Sequence, residues 1–186
     1  MPRVKGVAIL LLIKFVKKNY KDVLSRVIDA LPPESAKYMQ EHIIATEWYP
    51  YKLYTDLLRT LDKITGTGDL SYCIELGRLA AGNHLSTIFK IFMNFSSVQS
   101  MLSRIVVAWS SYYDTGKVEI PSFTDKEATY IIKDFPDIDL AHVKNAQGWV
   151  EQFFLITGKF KNVKSEILKC QCSGDPVTEI HFTFNP

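Results

Sequence analysis

Cysteine is scarce in this chain, histidine is scattered, and neither sign of charge prevails; each shortage narrows the function. Three cysteines, Cys73 and the close pair Cys170 and Cys172, do not make the even, dense framework of a small secreted domain, and a reducing cytoplasmic compartment is expected. The 22 basic and 20 acidic side chains leave a net charge of +2, too little for the electrostatic footprint of a nucleic-acid binder. Four histidines, His42, His84, His142 and His181, stand far apart. With no metal-ligand spacing, nucleophile elbow or phosphate-cradling glycine loop, they read as isolated surface or structural residues, and no enzyme is expected. The chain also lacks an apolar run near the roughly 20 residues that cross a bilayer. Arg3 and Lys5 ahead of Val7 to Ile13 have the outline of a signal peptide, yet no small-residue cleavage site follows and Lys14, Lys17 and Lys18 come within two turns. Neither secretion nor a membrane span is expected.

What is present is a chain of 186 residues, 47% hydrophobic, enough for one full core. A single domain over 1–186 is expected, with a helical part, 1–115, and a sheet-plus-helix part, 116–186. Val4 to Asn19 reads as a helix apolar on all sides at first, which must be covered on more than one side. Lys14, Lys17, Lys18 and Lys21 then form a stripe, read as a solvated face rather than a site for acidic lipid. A helix Asp22 to Leu31 stops at Pro32-Pro33, and the next runs from Pro33 to about Thr46. Leu53, Tyr54, Leu57, Leu58, Leu61 and Ile64 predict a helix over Tyr51 to Thr65 that ends at Gly66. Asp69 is a candidate N-cap for a helix Leu70 to Gly82, with Leu85, Ile88, Phe89 and Phe92 continuing its pattern. Ser96-Ser97 opens the most regular helix, with Val98, Met101, Leu102, Ile105, Val106, Trp109 and Tyr112 on one face.

After Asp114-Thr115-Gly116 the period becomes alternating. Lys117 to Ile120 and Lys126 to Lys133 predict a hairpin. Leu140 to Thr157 predicts a helix capped by Asp137 or Asp139 and stopped by Gly158, and Lys161 to Phe184 a final hairpin. The fold class is α+β: a helical N-terminal half followed by a β-β-α-β-β antiparallel sheet unit. In the last hairpin, burying Ile180, Phe182 and Phe184 sets Cys170 opposite Ile180 and Leu168 opposite Phe182. Cys170 and Cys172 then share one strand face, as weak candidates for a metal and poorly placed for a disulfide.

Val4-Lys5-Gly6 leading into an apolar helix, then Asn19-Tyr20-Lys21-Asp22 and a second helix, resembles the beginning of haem-nitric oxide/oxygen binding (H-NOX) domains. That family shares the order of a helical half and two hairpins around a helix. Gly148 and the run Cys170 to Phe182, with Gly174-Asp175, are similar to 4-vinyl reductase-type sensor domains, and the combination with Trp48-Tyr49-Pro50 is most like a bacterial group of this superfamily. The resemblance covers nearly the whole chain and implies an H-NOX-like fold and a sensory role. In the family a histidine on the helix before the first hairpin ligates haem iron, but Ser97 to Tyr113 contains none, and the Tyr-x-Ser-x-Arg motif that binds the propionates is absent. In zinc-bearing relatives a cysteine follows the Gly-Asp pair, whereas Pro176, Val177 and Thr178 follow here. No cofactor, neither haem nor zinc, is therefore expected.

The resemblance implies a cytoplasmic module of bacterial signalling that binds a small apolar molecule between the helix Ser97 to Tyr113, the sheet and the last helix. Met101, Ile105, Trp109, Phe153 and Phe182 are its candidate walls; the same five as plain core are the alternative. A related fold in TRAPP vesicle-tethering subunits implies instead a dimeric interaction scaffold without a ligand. Its surfaces would be the first helix, at Leu10 and Leu11, and the flank of Trp149 and Ile156, which lies off the core stripe of its helix. A homodimer or a signalling-protein complex is the expected assembly.

Overall fold

Two three-residue strands, β1 (Arg3–Lys5) and β2 (Trp48–Pro50), pair antiparallel and tie the start of the chain to the entrance of a later helix. The computed structural model describes residues 1–20, 22–88 and 98–185, without the side chains of residues 83–88, 98, 99 and 101. The helical half comprises α1 (Gly6–Asn19), α2 (Val23–Ala30), α3 (Pro33–Met39), α4 (Tyr51–Thr65), α5 (Tyr72–Ile88) and α6 (Val98–Tyr112). The second half is β3 (Lys117–Phe123), β4 (Glu127–Lys133), α7 (Leu140–Ile156), β5 (Lys161–Lys169) and β6 (Thr178–Asn185). Strand order in this antiparallel sheet is β3-β4-β6-β5.

Local chemistry accounts for the boundaries. α1 starts after β1 rather than at Val4, because Val4 pairs with Tyr49 and the first helical N–H groups of Gly6 and Val7 donate to Glu47 and Ala45. α3 is shorter than its apolar pattern predicts and ends before the turns that lead to β2. Between α4 and α5 the fully buried carboxylate of Asp62 accepts from the backbone N–H of Leu70 and Tyr72, at 2.9 and 3.0 Å. These bonds hold Leu70 in a left-handed conformation, φ 67°, and start α5 two residues later than expected. Asp69 accepts from Ser71 N at 2.9 Å, so two carboxylates share the turn. Phe89, Phe92 and Lys21 lie outside the described residues.

α7 is the axis on which the halves meet. Its N-cap is Asp139, which accepts from Ala141 N and is held by Arg59 of α4 through two contacts at 2.8 and 2.9 Å. One flank packs Val150, Phe153 and Phe154 onto the inward residues of the sheet, including Tyr130, Ile180, Phe182 and Phe184. The other flank crosses α5 at backbone contact. A Cβ on Gly148 would lie 1.9 Å from the carbonyl oxygen of Ile74, and one on Gly77 would lie 1.9 Å from that of Asn145. Only glycine at both positions permits the crossing.

The last hairpin departs from its expected register. Ile167, not Cys170, stands opposite Ile180, and Ser165, not Leu168, opposite Phe182. Irregular pairing between Ile167 and Lys169 turns Leu168 outward, where it is 52% exposed, and a 3-10 turn over Gln171–Ser173 takes up residues that simple alternation assigns to strand. Cys170 and Cys172 consequently do not share a strand face. The turn brings their Cα atoms to 5.1 Å and they form a disulfide, which corrects the expectation of poor bridge geometry. In the first hairpin β3 runs on to Phe123, with Pro121 accommodated where the register shifts between Glu119 and Ser122 on an edge strand.

The glycine crossing makes a prediction of opposite signs. Gly148→Ala is expected to destabilise the fold by at least about 2 kcal/mol through overpacking against backbone. Gly82→Ala, where an added Cβ meets nothing within 4 Å, is expected to be neutral or stabilising by up to about 1 kcal/mol from helix propensity. Urea denaturation of the two variants checks both.

Candidate functional site

α1, α4, α5, α6, α7 and β4 converge on a cavity of about 60 Å³. Ala8, Leu11 and Leu12 of α1 form one wall, and Ile105, Ala108, Trp109 and Tyr112 of α6 a second. Tyr54 of α4, Ala80 of α5, Tyr130 of β4, Tyr113, and His142, Asn145, Ala146, Trp149 and Val150 of α7 complete it. The space is large beside the roughly 10–15 Å³ that admits one water and small beside the roughly 150 Å³ of an engineered cavity that accepts benzene. It suits molecules of a few heavy atoms.

His142 is the polar centre of this apolar site. It is 1% exposed and ringed by aromatic side chains. Trp109 stacks on it at 5.3 Å with 13° between planes, and the rings of Tyr113, Tyr51 and Tyr54 lie at 4.4, 5.4 and 5.7 Å. Its Nδ1 is 2.9 Å from the hydroxyl of Tyr51, which itself accepts from the backbone N–H of Asp139 at 3.1 Å. Its Nε2 is buried and has no hydrogen-bond partner. Such an orphan costs about 1–3 kcal/mol, so it calls for an explanation. Asn145, one helical turn on, is by contrast satisfied: its Oδ1 accepts from the hydroxyl of Tyr54 at 2.8 Å and its Nδ2 donates to the carbonyl of Cys73 at 3.2 Å. Trp109 Nε1 donates to the carbonyl of Thr115 at 3.1 Å, which fixes the indole over the imidazole.

Burial pushes the His142 imidazole down to about 3, so it is neutral at ordinary pH. Burial also raises Tyr51, Tyr54 and Tyr113, which therefore stay protonated beside it. The thiol of Cys73 is pushed up to about 12, chiefly by burial and then by Asp62, which leaves it inert as a nucleophile near neutral pH.

Of the sequence candidates, Ile105 and Trp109 line the cavity, while Phe153 and Phe182 are buried away from it, Phe153 against Trp149 and Phe182 against Phe154. The side chain of Met101 lies outside those described. Leu11 and Trp149, candidate subunit contacts, turn toward the cavity; Leu10 and Ile156 are half-buried against the core. Cys170 and Cys172 are joined in the disulfide, and among the described residues no cluster of His, Cys, Asp and Glu is placed to hold a metal. His142 and Tyr51 are not among the residues that the sequence marks. A signal for them exists in α7: Asn145, Gln147 and Glu151 are buried along with its apolar stripe, so the helix has little solvent face and a histidine on it must be inside.

No protein-family model and no curated protein matches the chain. Solved structures do. An H-NOX protein from S. oneidensis in the Fe(II)NO ligation state superposes with a TM-score of 0.72 at 9% identity, covering 98% of this chain and 99% of that one. An Fe(II) unliganded H-NOX protein from K. algicida gives 0.68 at 12% identity, covering 98% and 97%. An oxygen-binding H-NOX domain related to soluble guanylate cyclases, in its oxygen complex, gives 0.66 at 13% identity, covering 98% and 95%. The chain has an H-NOX-like fold. These neighbours, two of them in Fe(II) states, correct the expectation that there is no cofactor: haem is not excluded. α6 has no histidine, and His142 of α7 is among the residues that line the cavity; the lack of one on α6 does not exclude haem. The space between the described walls is about 60 Å³.

A neutral imidazole makes stability depend on pH with a defined sign. The folded group sits near 3 against 6.5 for a free one. Between these values the unfolded chain takes up a proton that the folded chain refuses, so the stability present above 6.5 is lost as pH falls, at up to about 1.4 kcal/mol per pH unit. His142→Phe removes this component. Urea denaturation at pH 7 and pH 4.5 is expected to show the variant gaining on the wild type as pH falls, whereas parallel losses would contradict a buried neutral His142.

Proposed function

We propose that this chain is a sensory module of signalling whose cavity binds a small molecule, with occupancy altering how α6 and α7 pack and a partner protein reading the change. The observation that carries this reading is the cavity itself, with apolar and aromatic walls that include His142, whose buried Nε2 has no partner. Small-molecule sites in folded domains have this composition, a mostly apolar enclosure with a few polar groups. A bound acceptor or donor at Nε2 recovers the interaction that the empty fold leaves unmade.

α6 is suited to transmit occupancy. It presents Ile105 and Trp109 to the cavity and Val106 and Val107 to the surface, the latter 61% exposed. A change in the packing of one face therefore moves the other. The neighbours of like fold are described as NO-ligated and oxygen-binding proteins, which supports a small ligand and a sensory use of the fold. The scaffold reading gains less support, because Leu11 and Trp149, two of the residues it would place at a subunit surface, serve as cavity wall.

Xenon is a suitable probe of a small apolar space. In methyl-labelled protein, dissolved xenon is expected to shift the resonances of Ile105, Leu12 and Val150 saturably and together. Ala146→Leu, which adds side chain to the wall, is expected to abolish that response. Absence of a saturable response in the wild type would overturn the cavity as a binding site.

A further inference from the structure

The two nitrogens of His142 are inequivalent, since Nδ1 meets the Tyr51 hydroxyl and Nε2 has no partner. The Tyr51 hydroxyl accepts from the backbone N–H of Asp139, at 3.1 Å, which leaves its proton and one lone pair, and only donation to a neighbour satisfies that buried proton. The acceptor within reach is Nδ1 of His142, at 2.9 Å. A neutral imidazole that accepts at Nδ1 carries its proton at Nε2. We propose that Tyr51 fixes the tautomer of His142, so that the cavity presents an Nε2–H donor and selects uncharged hydrogen-bond acceptors of about two to three heavy atoms. This rests on the ligand-cavity reading above and deepens it.

The arrangement is held from outside the cavity. Asp139 caps α7 and is clamped by Arg59, so its N–H is fixed in direction. Tyr51 opens α4, is 6% exposed, and packs against Phe135 at 4.9 Å. It cannot turn to face water, and its hydroxyl stays between the Asp139 amide and the imidazole. Tyr51 is thus a positioning residue, and His142 is the residue that meets the ligand. No charged side chain lies among the rings packed on His142, so a charged guest finds no counter-charge in the site. An acceptor such as a nitrile or carbonyl finds an unspent donor.

Long-range proton–nitrogen spectra of the histidine-labelled wild type read the tautomer directly and are expected to show His142 protonated at Nε2. In Tyr51→Phe the same spectra are expected to show a mixture of the two neutral forms. Acetonitrile and propyne, linear molecules of equal heavy-atom count of which only the first is a good acceptor, then test selection. The ratio of their affinities is expected to fall about tenfold in His142→Phe relative to the wild type, and to fall in Tyr51→Phe as well, while propyne affinity changes by less than about twofold. A wild-type ring protonated at Nδ1 overturns the inference without recourse to any variant. Propyne binding with an unchanged ratio overturns it while leaving the cavity reading intact; exclusion of both probes overturns the two together.

Discussion

The contact on which the rest depends is the crossing of α5 and α7 at Gly77 and Gly148. Each glycine meets the other helix at its carbonyl oxygens, and a single added methyl group at either would intrude to 1.9 Å. This approach sets α7 at one height against the helical half. It lets Asn145 reach the carbonyl of Cys73 and the hydroxyl of Tyr54, and it carries His142 under the ring of Trp109. The sheet is placed by the same helix, whose opposite flank packs on Phe182 and Phe184 through Phe154. The cavity is what remains between elements so positioned.

Among the described residues the buried carboxylates are partnered, and the buried side-chain atoms without a partner are His142 Nε2 and Gln171 Oε1. Asp62 holds the turn into α5, Glu151 is paired with Arg78 and accepts from Ser165, and Asp56 accepts from Ser35 and is paired with Lys52. Against that background the unbonded Nε2 of His142 stands out, because a fold that satisfies its buried carboxylates leaves open a nitrogen beside its apolar cavity. A core designed only for stability would place an apolar residue there. The neutral state of the imidazole and its fixed tautomer follow from the same burial and from Tyr51 and Asp139.

Much of the architecture is legible in the sequence, since the 3.6-residue and two-residue periods are written by burial itself. The bounds of α4 follow from Leu53, Leu57, Leu58 and Leu61, and Asp139 announces α7. What is illegible depends on pairing across long distances. β1 and β2 are three residues each, too short for a period, and exist because they meet. The final register escapes because alternation alone does not reveal an irregular pairing at Leu168 or a 3-10 turn after Cys170. The site escapes for a related reason. His142, Tyr51 and Trp109 come from α7, α4 and α6, and an isolated histidine becomes the centre of a cavity only when three helices converge on it. A histidine missing from one helix does not exclude haem, and His142 of α7 is among the residues that line the cavity.

The central claim is that His142 is the polar group of a ligand cavity rather than a satisfied core residue. Neutron diffraction from a crystal grown near neutral pH tests it most directly. The account predicts a hydrogen isotope on Nε2 and none on Nδ1, with the Tyr51 hydroxyl proton directed at Nδ1. It also predicts a water or other small molecule within about 3 Å of Nε2. An Nε2 bonded to a protein group, with the cavity walls closed upon one another, would contradict it.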